Sequence, residues 1–292
     1  RYNEAQKASV QSQLHQAEKK YKAGLGTITE VNEAKANLET VIAQGLEWAN
    51  GLEFNKRVLE NVSGIYMNTF FVLNPEKLSL AKPDPIKVDD WVDLALSKNP
   101  EIQAAAQDVE AMRQEVRKNF SGHMPTLDLV ASRTKTESDN NYTIGSKYDT
   151  DSIGLQLNVP LYSGGYTSAT VRQAEAKLNF AEEKLTDKRR TISNDIRKYF
   201  NEVNNGIARI EAKSLAVTSN EIAVIGTQKA YESGIRSNVE VLNAQEKLYS
   251  AKRELAQERY KLVYNRIMLR QSAGLITEAD LAETSQILSL VN

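Results

Sequence analysis

Few residues in this 292-residue chain are placed to do covalent chemistry. The only histidines, His15 and His123, fall on different predicted elements and lack the spacing of metal ligands. There is no cysteine, which excludes disulfides, zinc–thiolate sites and thiol catalysis within the chain. Serines are many, but none sits in a nucleophile elbow. Gly164-Gly165 do not form a phosphate loop; they suit a bend from strand to helix. No catalytic group, metal site or cofactor is expected. The informative positions are two glycine turns, Gly24-Leu25-Gly26-Thr27 and Gly234-Ile235-Arg236-Ser237. Taken alone, Arg236 and Glu240 read as solvated charges at a helix end.

The turns belong to a repeat, and the repeat organises the chain. Residues 17–64 and 227–274 align without a gap and are identical at 11 of 48 positions. The identities include Tyr21/Tyr231, Gly24/Gly234, Glu30/Glu240, Val31/Val241, Leu52/Leu262 and Gly64/Gly274. Each copy reads as helix, tight turn, helix. In the second copy a 3–4 pattern runs unbroken by proline from Tyr166 to about Tyr231. At ~1.5 Å per residue such a helix spans roughly 100 Å and must pack along others. Gly234 ends it. The return helix carries Val241, Ala244, Leu248, Ala251, Leu255, Leu262 and Leu269, a ladder suited to coiled-coil packing. The first copy repeats it as Val31, Ala34, Leu38, Val41, Trp48, Leu52 and Leu59.

Between the copies, residues 65–100 hold Pro75, Pro83, Pro85 and Pro100 around a short helix at Asp89–Ser97, an irregular insertion. A helix then runs from Glu101 to about Phe120. Ile153, Leu155, Leu157, Val159 and Leu161 alternate with Gly154, Gln156, Asn158 and Pro160, a period-2 strand. Thr126–Thr134 supplies a weaker partner strand, with a long polar loop at Lys135–Thr150 between them. Alternation alone suits a lipid-facing barrel hairpin and a soluble hairpin packed on a helix equally well. The very long helix that follows directly favours the barrel.

Bulk properties agree. The formal net charge is -1 and mean hydropathy is -0.49. Near-neutral charge gives no reason to expect nucleic acid as a partner. No apolar run approaches the ~18 residues of a spanning helix, so a membrane location requires a β-barrel.

At these residues the sequence resembles the TolC family of outer-membrane efflux and secretion channels. The matching stretches are Tyr21 to Val31, Asn99-Pro100-Glu101, Pro125-Thr126-Leu127, Val159 to Gly165 and Tyr231 to Ala244. The resemblance implies a mainly α fold with a β-barrel portion. Long antiparallel coiled-coil helices form a trimeric α-barrel, joined by a transmembrane β-hairpin and a mixed equatorial insertion. It implies a passive exit duct in the bacterial outer membrane, reaching into the periplasm, and not an enzyme. Its implied partners are two further copies, a periplasmic adaptor, an inner-membrane transporter (ABC or proton-driven) and outer-membrane lipid, with no nucleic acid.

The resemblance also assigns roles at the turns. Arg236 would pair with the Thr29 region of a neighbouring hairpin and Tyr231 would hydrogen-bond Glu30, holding the tip shut. Glu240 would line the constriction as an acidic ring, with Asn243 as a neutral second ring. Gly24, Leu25, Gly26 and Thr27, with Gly234, Ile235, Arg236 and Ser237, would dock the adaptor.

The resulting layout is a first helical hairpin at 1–64, the insertion at 65–100, an ascending helix at 101–123 and a β-hairpin at 124–162. A second hairpin at 163–274 and an equatorial segment at 275–292 complete it. The repeat offset leaves residues 99–210 without a first-copy counterpart, so roughly 110 residues are expected before Arg1. The rival reading is a coiled-coil scaffold or the adaptor itself, which should carry compact lipoyl-like β-segments around a single helical hairpin.

Overall fold

The computed structural model describes residues 2–66, 69–138 and 145–290. Helices dominate: α1 (Tyr2–Lys22), α2 (Ile28–Ser63), α3 (Val88–Lys98), α4 (Pro100–Phe120), α5 (Tyr166–Glu232), α6 (Asn238–Ser272) and α7 (Glu278–Gln286). Four strands form two antiparallel pairs, β1 (Phe71–Leu73) with β4 (Leu288–Leu290) and β2 (Thr126–Ser138) with β3 (Ser146–Asn158). The chain divides into two compact units, residues 1–95 with 194–292, and residues 96–193. The 67-residue α5 contributes to both.

In the first unit the expected ladders are buried where helices meet. Val10 of α1, Ala34 and Val41 of α2 and Leu242 of α6 form one apolar cluster, with Leu14 and Leu38 against it. Along α6, Val241, Leu248, Leu255, Leu262 and Leu269 recur every seven residues and are all buried. On α5, Ile196, Phe200, Val203, Ile207 and Ile210 are buried at 3–4 spacing. The two helices also meet at a glycine of α5. A Cβ on Gly206 would lie 3.5 Å from Leu262 Cδ1. Ion pairs flank this apolar seam: Arg209–Glu258 at 3.0 Å, Lys213–Glu254 at 2.6 Å, Lys252–Glu221 at 2.8 Å and Lys261–Glu202 at 3.1 Å. They rise along α5 as they fall along α6, the register of antiparallel helices.

The first-copy ladder departs from its repeat. Ala34 and Val41 are buried, but Trp48, Leu52 and Leu59 are exposed. The pattern prescribes an apolar stripe; here the Arg253 guanidinium of α6 reaches the Trp48 ring, 5.5 Å from its centroid, and Leu52 and Leu59 stay exposed.

The insertion is more ordered than its prolines suggest. Phe71–Leu73 pairs with Leu288–Leu290, so residues far apart in sequence share one small sheet. Asn74 N–H donates to the Ile287 carbonyl at 2.8 Å, and Leu73 N–H to the Tyr260 hydroxyl at 3.1 Å. The buried Trp91 donates its indole N–H to the Pro85 carbonyl at 2.7 Å. Arg197 of α5 holds Asp89 at the start of α3 at 2.8 Å.

In the second unit, Asn99 caps α4 by accepting from the N–H groups of Glu101 and Ile102, with Pro100 in the first turn. Proline there forfeits only an N–H that has no helical partner. Lys188–Glu101 at 2.8 Å and Arg113–Glu182 at 3.8 Å tie α4 to α5. Gly164 and Gly165 both have positive φ, 62° and 80°, which turns the chain out of β3 and into α5.

The hairpin corrects the expected loop. Its strands extend to Ser138 and from Ser146, so Lys135–Ser138 and Ser146–Thr150 are strand. The rest of that loop, residues 139–144, lies outside the described residues. Cross-strand charge explains the extension: Arg133–Asp149 at 2.9 Å and Lys147–Glu137 at 2.9 Å pair the polar ends, where alternation of apolar residues gives no signal. Conversely, Val159 and Leu161 fall beyond the strand, around Pro160, which has no N–H for a ladder. The register places Leu127 opposite Leu157, Leu129 opposite Leu155 and Ala131 opposite Ile153. One face of the hairpin is therefore apolar on both strands, and these leucines and Ile153 are exposed. The other face brings Ser132 Oγ within 2.7 Å of Ser152 Oγ.

Candidate functional site

The two glycine turns close through the same pair of backbone hydrogen bonds. In the first, Gly24 N–H donates to the Tyr21 carbonyl at 3.0 Å and Leu25 N–H to the Lys20 carbonyl at 2.8 Å. In the second, Gly234 donates to Tyr231 at 3.0 Å and Ile235 to Ala230 at 2.8 Å. This paired closure of the last helical carbonyls needs a left-handed residue, and φ is 70° at Gly24 and 75° at Gly234. Each following helix opens with a capping box. The Thr27 hydroxyl accepts from Glu30 N–H, and the Glu30 carboxylate accepts from Thr27 N–H at 3.2 Å. Ser237 and Glu240 do the same, with Ser237 N–H to Glu240 at 2.8 Å. The rigid turns present apolar tips: Leu25 is 81% exposed and Ile235 79%.

The third turn position differs most between the copies. Where the second turn has Arg236, the first has Gly26. A Cβ on Gly26 would approach both Lys20 Cβ and the Glu30 carboxylate at 3.1 Å. Arg236 instead pairs its guanidinium with Glu240, four residues on.

The turns also meet. Lys20 Nζ lies 3.7 Å from the centroid of the Tyr231 ring, so the helix entering the first turn touches the helix entering the second. Tyr231 is buried, and its hydroxyl has no hydrogen-bond partner among the described residues.

Within this one chain the same side chains have other partners. Glu30 does not receive the Tyr231 hydroxyl; its carboxylate serves its own helix start. Arg236 holds Glu240, and Thr29 is exposed. The cause is proximity along the chain, because a carboxylate three residues into a helix reaches the cap at little entropic cost. Glu240 is partly exposed and Asn243 exposed on the following turn of α6. The Glu240 carboxyl is held below the usual carboxylate range, first by the Ser237 backbone N–H and then by Arg236.

Sequence reasoning missed two features. The capping boxes were legible as Thr27-x-x-Glu30 and Ser237-x-x-Glu240. The second is a set of buried polar residues behind the turns: Gln6 and Gln13 on α1, Asn238 and Gln245 on α6. Arg253 donates to the Gln6 amide oxygen at 3.0 Å. Both Gln13 amide atoms, Asn238 Nδ2 and Gln245 Oε1 have no partner among the described residues. The signal was their spacing, seven residues within each pair, which sets polar side chains into the apolar seam.

His15 is exposed and His123 stacks edge-on with Phe120 at 5.8 Å between ring centroids. Among the described residues no group of His, Asp and Glu could hold a metal, and no helix is long and apolar enough to cross a membrane.

A family model described as outer membrane efflux protein matches residues 91–275. The chain is 35% identical over 279 residues to the alkaline protease secretion protein AprF of Pseudomonas aeruginosa, covering 95% of this chain and 58% of AprF. It is 31% identical over 300 residues to the outer membrane protein TolC of Escherichia coli K12, covering 99% of this chain and 60% of that protein. The outer membrane protein VceC of Vibrio cholerae has a similar fold, with TM-score 0.77 at 22% identity, over 94% of this chain and 64% of VceC. The chain thus spans less than two thirds of the length of these relatives.

Proposed function

Because the chain belongs to the family of outer membrane efflux proteins, we propose that it is part of a passive exit duct of the bacterial outer membrane, built from three copies. Substrates pass through it from an inner-membrane transporter, bridged by a periplasmic adaptor. The observation that carries this reading is a hairpin with one exposed apolar face followed, across two left-handed glycines, by a 67-residue helix ending in a rigid turn. The apolar face of Leu127, Leu129, Ala131, Ile153, Leu155 and Leu157 meets lipid, and the helices carry the conduit into the periplasm. The rival adaptor reading fits less well: among the described residues the strands form only a long hairpin and a three-residue pair, not compact β-segments around one helical hairpin.

The turns act as gate and dock. Arg236, Tyr231, Thr29 and Glu30 sit where the tip closes, and Glu240 with Asn243 lines the narrow end. Leu25 and Ile235, exposed on frameworks fixed by Gly24, Gly26, Thr27, Gly234 and Ser237, offer paired apolar contacts to the adaptor's helical tip. The name of AprF ties that relative to protease secretion, which favours a polypeptide cargo and an ABC transporter here.

The test uses the intact protein in a strain lacking its own duct. It should fractionate with the outer membrane, need detergent to stay in solution as a trimer, and conduct ions in a planar bilayer. Leu25→Glu with Ile235→Glu should abolish export while leaving trimer and conductance unchanged. A protein soluble without detergent and silent in the bilayer would refute the duct.

A further inference from the structure

A cavity of about 360 Å³ lies in the first unit, away from the turns and the hairpin. It is bounded by residues 79–84, Trp91 of α3, the last turns of α6, and α7. Its volume falls within the range of small-molecule sites. Trp91, Val203 and Leu269 form part of the wall and are buried; Ile276 and Ile287 complete the apolar side. The single indole donor of Trp91 is spent on Pro85, so the ring contributes surface and not a hydrogen bond.

The charges in the cavity are not equivalent. Lys82, Asp84 and Glu283 are exposed at its margin, where solvent screens them. Asp280 is buried but fully engaged: it accepts from Thr277 N–H at 2.8 Å and the Thr277 hydroxyl at 3.0 Å, and pairs with Arg270 at 2.9 Å. Arg266 differs from all of these. It is half-buried, and its one hydrogen bond among those seen is from Nη2 to the Ala81 carbonyl at 2.7 Å. A guanidinium has five N–H donors in a planar fork suited to a carboxylate. Burial pushes its proton affinity down, with only Glu283 opposing, the direction expected of a cation short of a counter-ion.

We propose that this cavity binds a small aromatic carboxylate, its acid group on the Arg266 fork and its ring against Trp91 and Ile276. The pairing uses the one half-buried cation with spare donors and the apolar wall together. The cavity shares no residue with the turns or the hairpin, so the proposal does not rest on the duct reading.

The test is calorimetric titration of the intact detergent-solubilised protein with naphthalene-1-carboxylate and with its uncharged counterpart 1-naphthamide. The carboxylate should bind saturably, one per chain, and more tightly than the amide. Arg266→Gln should weaken the carboxylate about tenfold or more and leave the amide little changed. Ile276→Trp, which fills the cavity and leaves Arg266 in place, should weaken both, and it decides the matter if Arg266→Gln does not fold. Absence of saturable binding, equal affinity for the two ligands, or carboxylate binding unaffected by Ile276→Trp would overturn the proposal.

Discussion

Lys20 and Tyr231 hold the two glycine turns together through an ammonium placed 3.7 Å from the ring centroid, not through a hydrogen bond to the phenol. An ammonium over an aromatic face contributes about 0.5–2 kcal/mol depending on desolvation, and this ring is buried. The contact needs the ring and not the hydroxyl. Tyr231→Phe should therefore leave thermal stability and resting conductance close to wild type. Tyr231→Leu and Lys20→Met should each raise resting conductance, and the double change should add little to either. Melting curves and single-channel recordings check this; a strong effect of Tyr231→Phe would return the hydroxyl to the gate.

The Glu240 carboxyl offers a pH test. The Ser237 backbone N–H and then Arg236 lower its proton affinity in the folded chain. A carboxylate depressed on folding stabilises the helix start at pH above its unfolded value, and that contribution is lost as pH falls through the folded value. Helix α6 should thus keep its cap throughout the neutral range and lose it only below the ordinary carboxylate range. Cation preference in a bilayer should be flat across neutral pH and decline only in that acid window. Glu240→Gln should remove both the preference and its acid decline. A decline centred near neutrality would mean that neighbouring carboxylates crowd Glu240 more strongly than Ser237 and Arg236 stabilise it.

The seam behind the turns should be easier to part than an apolar one. Gln13, Asn238 and Gln245 are buried with amide atoms unpaired within the chain, and such groups cost about 1–3 kcal/mol each. Gln13→Leu with Gln245→Leu should raise the melting temperature and reduce the open-channel fraction seen with tip variants. A double variant that melts lower would show that these amides are satisfied in the assembled protein.

Leu262 is buried in the second hairpin, 1% exposed and facing Gly206. Leu262→Ala should destabilise the folded chain by about 2–5 kcal/mol, read from chemical denaturation. Leu52, its first-copy equivalent, is 56% exposed in this chain. Leu52→Ala should cost under about 1 kcal/mol unless another helix covers it in the assembly.

Periodicity made the long helices legible, because a 3–4 pattern uninterrupted by proline admits few other structures. It could not say what covers each stripe, which is why Trp48 and Leu59 look like core in sequence and lie open in the chain. The pairing of Phe71–Leu73 with Leu288–Leu290 was invisible because three residues carry no period and their partner is more than two hundred residues away. At the turns the glycines and caps were legible as local signals. The partners of Tyr231 and Arg236 were not. Resemblance supplied links across helices, whereas in the chain the glutamates of the capping boxes are claimed by their own helix ends and Tyr231 meets Lys20.

The proposed conduit is shut at its glycine turns, where Lys20 lies against the Tyr231 ring. The most direct measurement is single-channel conductance of the intact protein in a planar bilayer, compared with Lys20→Ser. The contact contributes on the order of 1 kcal/mol in each copy, so cutting it should open the tip without unfolding the chain. The expected result is a severalfold rise in conductance with the trimer intact by size-exclusion chromatography. An intact variant that conducts like the wild type would contradict closure at the turns.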